Sequence, residues 1–288
     1  MNMNAREALR PEMLTLKTSP NRPIGIFDSG LGGLTVVRAV RKLLPSEDII
    51  YFGDVARLPY GIKSPAQIIA CSKDNTEFLL DRGVKALVVA CNSSASTGLD
   101  ILHAYYRLPL IVDVIQPAVA EALRRTKNGR IGLLGTQATV ASGAYERYIR
   151  RQCGRRKISL FSEAAPLLVP LVESGWLREE VTKKIVLRYL KPILTKRIDT
   201  LILGCTHYPL LKHVFQACVS SRVHVIDAAP FVAKSLQDGL TQSGLRLPQN
   251  GRAGKLQVYL SDIPQDFKRI GESFLGERLA HVKKVSVE

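Results

Sequence analysis

The chain has 288 residues, 46% hydrophobic and 23% charged, with a formal net charge of +16, which suits two globular α/β lobes with proper cores. Its five cysteines, an odd number with no CxxC pair, argue against a disulfide framework or a zinc site and fit a reducing, cytoplasmic setting. No apolar stretch approaches the roughly 18 residues of a membrane span, and the first residues lack the apolar centre of a signal peptide.

Residues 1–21 read as an N-terminal extension closed by Pro20 and Pro23. Pro23 to Gly30 then reads as a strand with a polar tip, Asp28-Ser29. Gly30, Gly32 and Gly33 follow, a turn that lets backbone approach a ligand before the helix pattern of Leu34 to Leu44. Ile49 to Asp54 is the next strand, and its loop Leu58-Pro59-Tyr60-Gly61 is expected to line a pocket. A helix from about Ser64 to Arg82 leads to a strand ending at Cys91. The second lobe begins near Pro117, with a strand over Arg130 to Thr136, then Thr139 and a helix containing Tyr145. A second cysteine-tipped strand ends at Cys205. After Val225-Ile226-Asp227 the chain is expected to return to the first lobe. A surface loop over Thr241–Gly254, a strand over Leu256–Leu260 and a final helix close it.

Both halves therefore open on an Ile-Gly strand, Gly25 or Gly132, and reach a cysteine after a similar interval, the pattern of a divergent duplication. The expected fold is α/β: two pseudo-symmetric, doubly wound parallel-sheet domains with the site between them. Their bounds are 22–115 plus 229–288, and 116–228. In open α/β sheets ligands gather at the carboxyl ends of strands. Cys91 and Cys205 would then face one substrate from opposite sides, as needed to remove a proton from one face of a carbon and return one to the other. The alternative for each is a buried structural thiol. Cys71 and Cys218 fall in helical patterns and Cys153 in an Arg-rich segment, so these three read as structural or incidental. A thiol needs help to act as a base, since its ordinary pKa is about 8.5. His207, two residues past Cys205, and Asp28 are the nearby candidates, although Asp28 serves equally well as a helix cap. Asn92, Ser93, Ser94 and Thr206 are small groups suited to capping a helix or cradling a carboxylate. The Gly30–Gly33 region matches no nucleotide-binding motif and no lysine stands out as a pyridoxal anchor, so no cofactor is expected, nor any metal.

These residues carry a resemblance. FDSGLGGLTV at Phe27–Val36, YFGD and LPYG within Tyr51–Gly61, VVACNSSAS at Val88–Ser96 and LILGCTHYPLL at Leu201–Leu211 resemble the glutamate racemases of the aspartate/glutamate racemase family. SGAYE at Ser142–Glu146 and PLLVPLVESG at Pro166–Gly175 add to it, and the likeness covers roughly residues 22 to 275. It implies two-base interconversion of L- and D-glutamate for peptidoglycan synthesis. Cys91 would take the α-proton of D-glutamate and Cys205 that of L-glutamate. Asp28, His207 and Glu173 would tune the two thiols. The positions matching substrate-holding residues are Asp28, Ser29, Tyr60, Gly61, Asn92, Ser93, Thr139, Thr206 and His207. The sequence departs from the usual pattern at Ser93, where a Thr is common, and at Ala165, where a Cys often stands.

The resemblance leaves open a homodimer and an activating peptidoglycan precursor, and implies no membrane partner. Between Gln116 and Arg197 basic residues far outnumber acidic ones. With no nucleic-acid motif beside them they read as the solvated faces of helices, so nucleic acid is not an expected partner. Rival readings are a racemase of aspartate, a DNA-binding protein using the basic lobe, and a cysteine hydrolase.

Overall fold

The computed structural model describes residues 18–248 and 251–286, so most of the extension at 1–21 lies outside the described residues. The first segment runs β1 (Ile24–Asp28), α1 (Leu34–Leu43), β2 (Ile49–Gly53), α2 (Pro65–Leu80), β3 (Ala86–Val89), α3 (Asn92–Tyr105) and β4 (Ile111–Asp113). Next come α4 (Ile115–Arg125), β5 (Arg130–Gly135), α5 (Gln137–Ala141), α6 (Ala144–Gln152), β6 (Ser159–Ala164) and α7 (Leu168–Glu173). The middle segment ends with α8 (Glu180–Leu194), β7 (Thr200–Gly204), α9 (Lys212–Cys218) and β8 (His224–Ile226). The chain closes with α10 (Ala229–Gln242), β9 (Leu256–Leu260), α11 (Phe267–Leu275) and β10 (Val282–Lys284).

Two sheets result, ordered β10-β9-β2-β1-β3-β4 and β6-β5-β7-β8, with every pairing parallel. The second sheet repeats the β2-β1-β3-β4 order of the first, so β1 corresponds to β5 and β3 to β7. The register agrees: Gly25 pairs with Leu87 and Gly132 with Leu201. Both glycines sit where side chains press on the sheet. A Cβ at Gly25 would stand 2.9 Å from Val84 Cγ1, and one at Gly132 would stand 2.6 Å from Ile193 Cγ2. The resemblance between halves is thus one of topology, register and packing.

Strands β1, β2, β3 and β7 are buried along their whole length, which is why they appear in the sequence as unbroken apolar runs. Helix α2 starts where expected, with Ser64 Oγ accepting from Gln67 N at 3.3 Å and Pro65 in the first turn. The helical region around Tyr145 departs from expectation. It is two helices, α5 and α6, split at Gly143, whose φ of 64° favours glycine. The chain also does not end on a helix, because β10 follows α11 and pairs with β9. Helix α10 carries the chain back by packing on both α1 and α4.

Several basic residues of the middle segment have local partners. Arg124 and Arg125 bond Glu121 within α4, Arg150 bonds Glu146 within α6, and Arg156 donates to the carbonyls of Leu123 and Thr126. Among the described residues no helix is long and apolar enough to cross a membrane, and no cluster of His, Cys, Asp or Glu could hold a metal ion.

Candidate active site

Ser29, Thr136 and Cys205 directly follow β1, β5 and β7, Cys91 stands two residues past β3, and all four line one cavity of about 190 Å³. Corresponding strands of the two sheets thus present their carboxyl ends to the same space. The rest of the wall comes from Leu58 to Ile62 on one side and from Pro166, Val169, Pro170 and Glu173 around α7 on the other. Among the described residues no lysine or arginine lines it. An anion there would meet hydroxyls, the amides at the N-terminus of α3 and the His207 ring.

Cys91 is the N-cap of α3, its backbone extended, its thiol donating to Ser29 Oγ at 3.5 Å. Burial pushes this thiol up to about 11, and the nearby Asp28 carboxylate adds to the rise. Cys205 faces a different neighbour: His207 Nδ1 lies 3.9 Å from its sulfur, while His207 Nε2 lies 3.0 Å from Glu173 Oε1. Burial alone disfavours charge on His207, but its bonds to Cys205 and Glu173 outweigh that and hold it near 10. The ring is therefore an imidazolium at neutral pH.

Asp28 is wholly buried at the end of β1, behind the cavity wall. Its Oδ2 accepts from Gly30 N at 3.2 Å and Gly33 N at 3.0 Å, while Oδ1 accepts from Thr206 Oγ1 at 3.5 Å. One oxygen thus braces the glycine turn and the other faces the second cysteine's loop. Burial raises its pKa against the opposing pull of His207 and of the backbone amides of Gly33, Gly30 and Ser29.

Hydroxyls and amides join the halves around the cavity. Ser93 Oγ and Thr136 Oγ1 are 3.0 Å apart, and Tyr145 donates to Asn92 Oδ1 at 2.7 Å. The latter bond assigns Oδ1 to Tyr145 and leaves Nδ2 as the end offered to a ligand. The glycine turn also packs closely, since a Cβ at Gly32 would meet Thr206 and stand 2.5 Å from His207 Nδ1.

A profile of the Asp/Glu/Hydantoin racemase family matches residues 34–236. This chain belongs to that racemase family. It is 46% identical over 267 residues to a glutamate racemase of Neisseria meningitidis, a match covering 92% of this chain and 97% of the relative. The fold superposes on the crystal structure of glutamate racemase from Francisella tularensis in complex with D-glutamate with a TM-score of 0.87. That match has 35% identity and covers 93% and 99% of the two chains. It superposes on the Escherichia coli glutamate racemase in complex with L-glutamate and the activator UDP-MurNAc-Ala with a TM-score of 0.74. There the identity is 27%, over 93% and 99% of the chains.

Of the positions expected to matter in this racemase-family chain, Cys91, Cys205, Ser29, Tyr60, Gly61, Asn92, Ser93, Glu173, Thr206 and His207 line the cavity. Asp28 and Thr139 do not. Thr139 is buried behind Thr136, to whose Oγ1 its N–H donates at 3.2 Å, and Thr136 and Gln137 reach the cavity in its stead. Tyr60 offers its ring and not its hydroxyl, which donates to Asp54 and accepts from Asn75 Nδ2 at 3.1 Å. The signal for Thr136 was present in the sequence: it holds the position after β5 that Ser29 holds after β1.

Proposed function

We propose that this chain is a glutamate racemase that interconverts L- and D-glutamate by two-base proton transfer, supplying the D-enantiomer for peptidoglycan. The observation that carries this reading is the pair of cysteines on equivalent strand tips lining one cavity. A base is needed on one face of Cα and an acid on the other, and a matched pair of thiols can serve as both.

From L-glutamate, the Cys205 thiolate takes the α-proton; the electron pair of that C–H bond passes into the α-carboxylate. The Cys91 thiol then gives its proton to the opposite face. The cycle leaves Cys205 protonated and Cys91 ionised, and D-glutamate runs it in reverse. Two features support the first direction as the resting one: the Cys91 proton is held firmly, and the His207 imidazolium stands beside the Cys205 sulfur. Glu173 keeps that imidazolium charged and oriented, and Asp28 ties the Cys91 side to the Thr206–His207 loop. The carboxylates of the substrate would be met by the amides of the α3 N-terminus and by the Ser29, Ser93 and Thr206 hydroxyls. Ser93 keeps the hydroxyl that a threonine would supply. The assignment of domains as 22–115 plus 229–288 and 116–228 places one thiol on each.

The deciding experiment follows L-glutamate with the purified chain in deuterium oxide, reading optical rotation and α-deuterium together. Rotation falling to zero with deuterium entering Cα is expected. Turnover of aspartate in place of glutamate would keep the chemistry and change the substrate; inertness toward both would sink the reading. From the Escherichia coli relative we extend the proposal to activation by a peptidoglycan precursor, tested by adding UDP-MurNAc-Ala to the same assay. Homodimer formation is checked by sedimentation.

A further inference from the structure

Among the described residues, Ser94 Oγ is a fully buried side-chain oxygen with no hydrogen-bond partner. A buried hydroxyl without a partner is destabilising and needs an explanation. Ser94 is the third residue of α3, one turn beyond Cys91, and the third helical position is the one whose amide an N-cap side chain faces. In the thiol state the Cys91 proton points to Ser29 Oγ, and a thiol sulfur is a poor acceptor. A thiolate is a strong acceptor.

We propose that Ser94 is a positioning residue for Cys91, its buried hydroxyl a donor held ready for the thiolate that forms when Cys91 takes a proton from the substrate. The backbone N–H and the hydroxyl of Ser94 both favour the ionised sulfur. Burial and Asp28 at the end of β1 oppose them, while the fully buried Tyr51 on β2 stays a neutral phenol nearby. Tyr60 and Cys71 pack against Cys91 from the loop and from α2, and Cys205 with His207 faces it across the cavity. The donor is unused in the resting thiol and engaged once charge develops, which is how a fixed dipole assists a transition state without reorganising. This inference rests on the two-thiol reading.

The test is initial-rate alkylation of the full chain by iodoacetamide at pH 8.5, with Cys91 and Cys205 peptides quantified by mass spectrometry. Loss of one hydrogen bond to a thiolate raises its pKa by about one unit, a tenfold smaller thiolate fraction. A more basic thiolate is a better nucleophile by roughly threefold, so Ser94→Ala is expected to slow Cys91 alkylation about threefold relative to Cys205. The basic limb of the pH profile for D-glutamate turnover should move up by about one unit. An unchanged Cys91-to-Cys205 ratio and an unmoved pH profile overturn the proposal, because a hydroxyl that only fills space affects neither. A slowed Cys91 in a chain that does not racemise glutamate supports the Ser94 assignment and overturns the racemase reading. Ser94→Cys, which keeps a donor of similar size, is expected to recover part of the loss.

Discussion

Cys91 and Cys205 occupy equivalent strand tips in unequal surroundings. The first sits under a carboxylate and small hydroxyls, the second beside an imidazolium. Serine in either place keeps size and hydrogen bonding but cannot ionise at working pH. Cys91→Ser and Cys205→Ser are each expected to lower racemisation by roughly a hundredfold or more, with far-ultraviolet circular dichroism unchanged. Near-native turnover by either would remove that thiol from the mechanism. His207 gives a second prediction, on stability. Its pKa in the folded chain is about 10, against about 6.5 unfolded, so the native state binds the extra proton between those values. Stability from this group is fully present below about pH 6.5 and lost as pH rises through about 10. The difference in Tm between the native chain and His207→Gln should therefore shrink over that interval. A difference that stays constant with pH would show the ring to be neutral.

At the scale of elements, the turn between β1 and α1 does more than connect them. Tyr51 donates to Gly30 O at 2.6 Å and Thr35 Oγ1 donates to Gly32 O at 2.9 Å, so the turn is tied down on both sides. It lies against Thr206 and His207 of the other half, where a methyl at residue 32 has no room. Gly32→Ala is expected to displace the His207 ring, lowering kcat more than tenfold while thermal unfolding stays cooperative; unaltered kcat would mean the turn gives way freely. The central strands of this fold were legible because a strand covered on both faces carries an unbroken apolar run, as Ile24–Asp28 and Thr200–Gly204 do. The edge strands were not. Ser159–Ala164 is only part-buried and mixes Ser and Glu into its run, and Ile111–Asp113 and Val282–Lys284 are three residues long. The cysteines, His207 and the small residues around them were legible because they lie next to strand ends. The α7 wall, with Pro166, Val169 and Pro170, was not, since which helix covers the cleft is decided by packing distant in sequence. The direction of the Tyr60 hydroxyl depends in the same way on Asp54 and Asn75.

The whole molecule is a cleft between two copies of one topology, closed by bonds that cross it. The Tyr145–Asn92 bond is one such bond; it joins α6 of one half to the first residue of α3 in the other, directly beside Cys91. Tyr145→Phe leaves the ring packing in place and removes only the donor to Asn92 Oδ1, at a cost of about 1 kcal/mol, roughly fivefold in rate. The enantiomers of glutamate have equal free energy in water, so the equilibrium constant of the reaction is one. It follows that kcat/KM must be the same in both directions for the native chain and for every variant. Tyr145→Phe is therefore expected to lower kcat/KM about fivefold for L- and D-glutamate alike, even if kcat and KM divide the loss differently for each. The same loosening should appear in binding: D-glutamate at about 100 times its Kd stabilises the native chain by about 2.7 kcal/mol, and the variant at equal ligand concentration by less. A smaller ligand-induced rise in Tm together with the shared fall in kcat/KM would locate the effect in closure of the cleft. A fall in kcat/KM with the full rise in Tm would place it instead at the Cys91 end of α3, with closure intact.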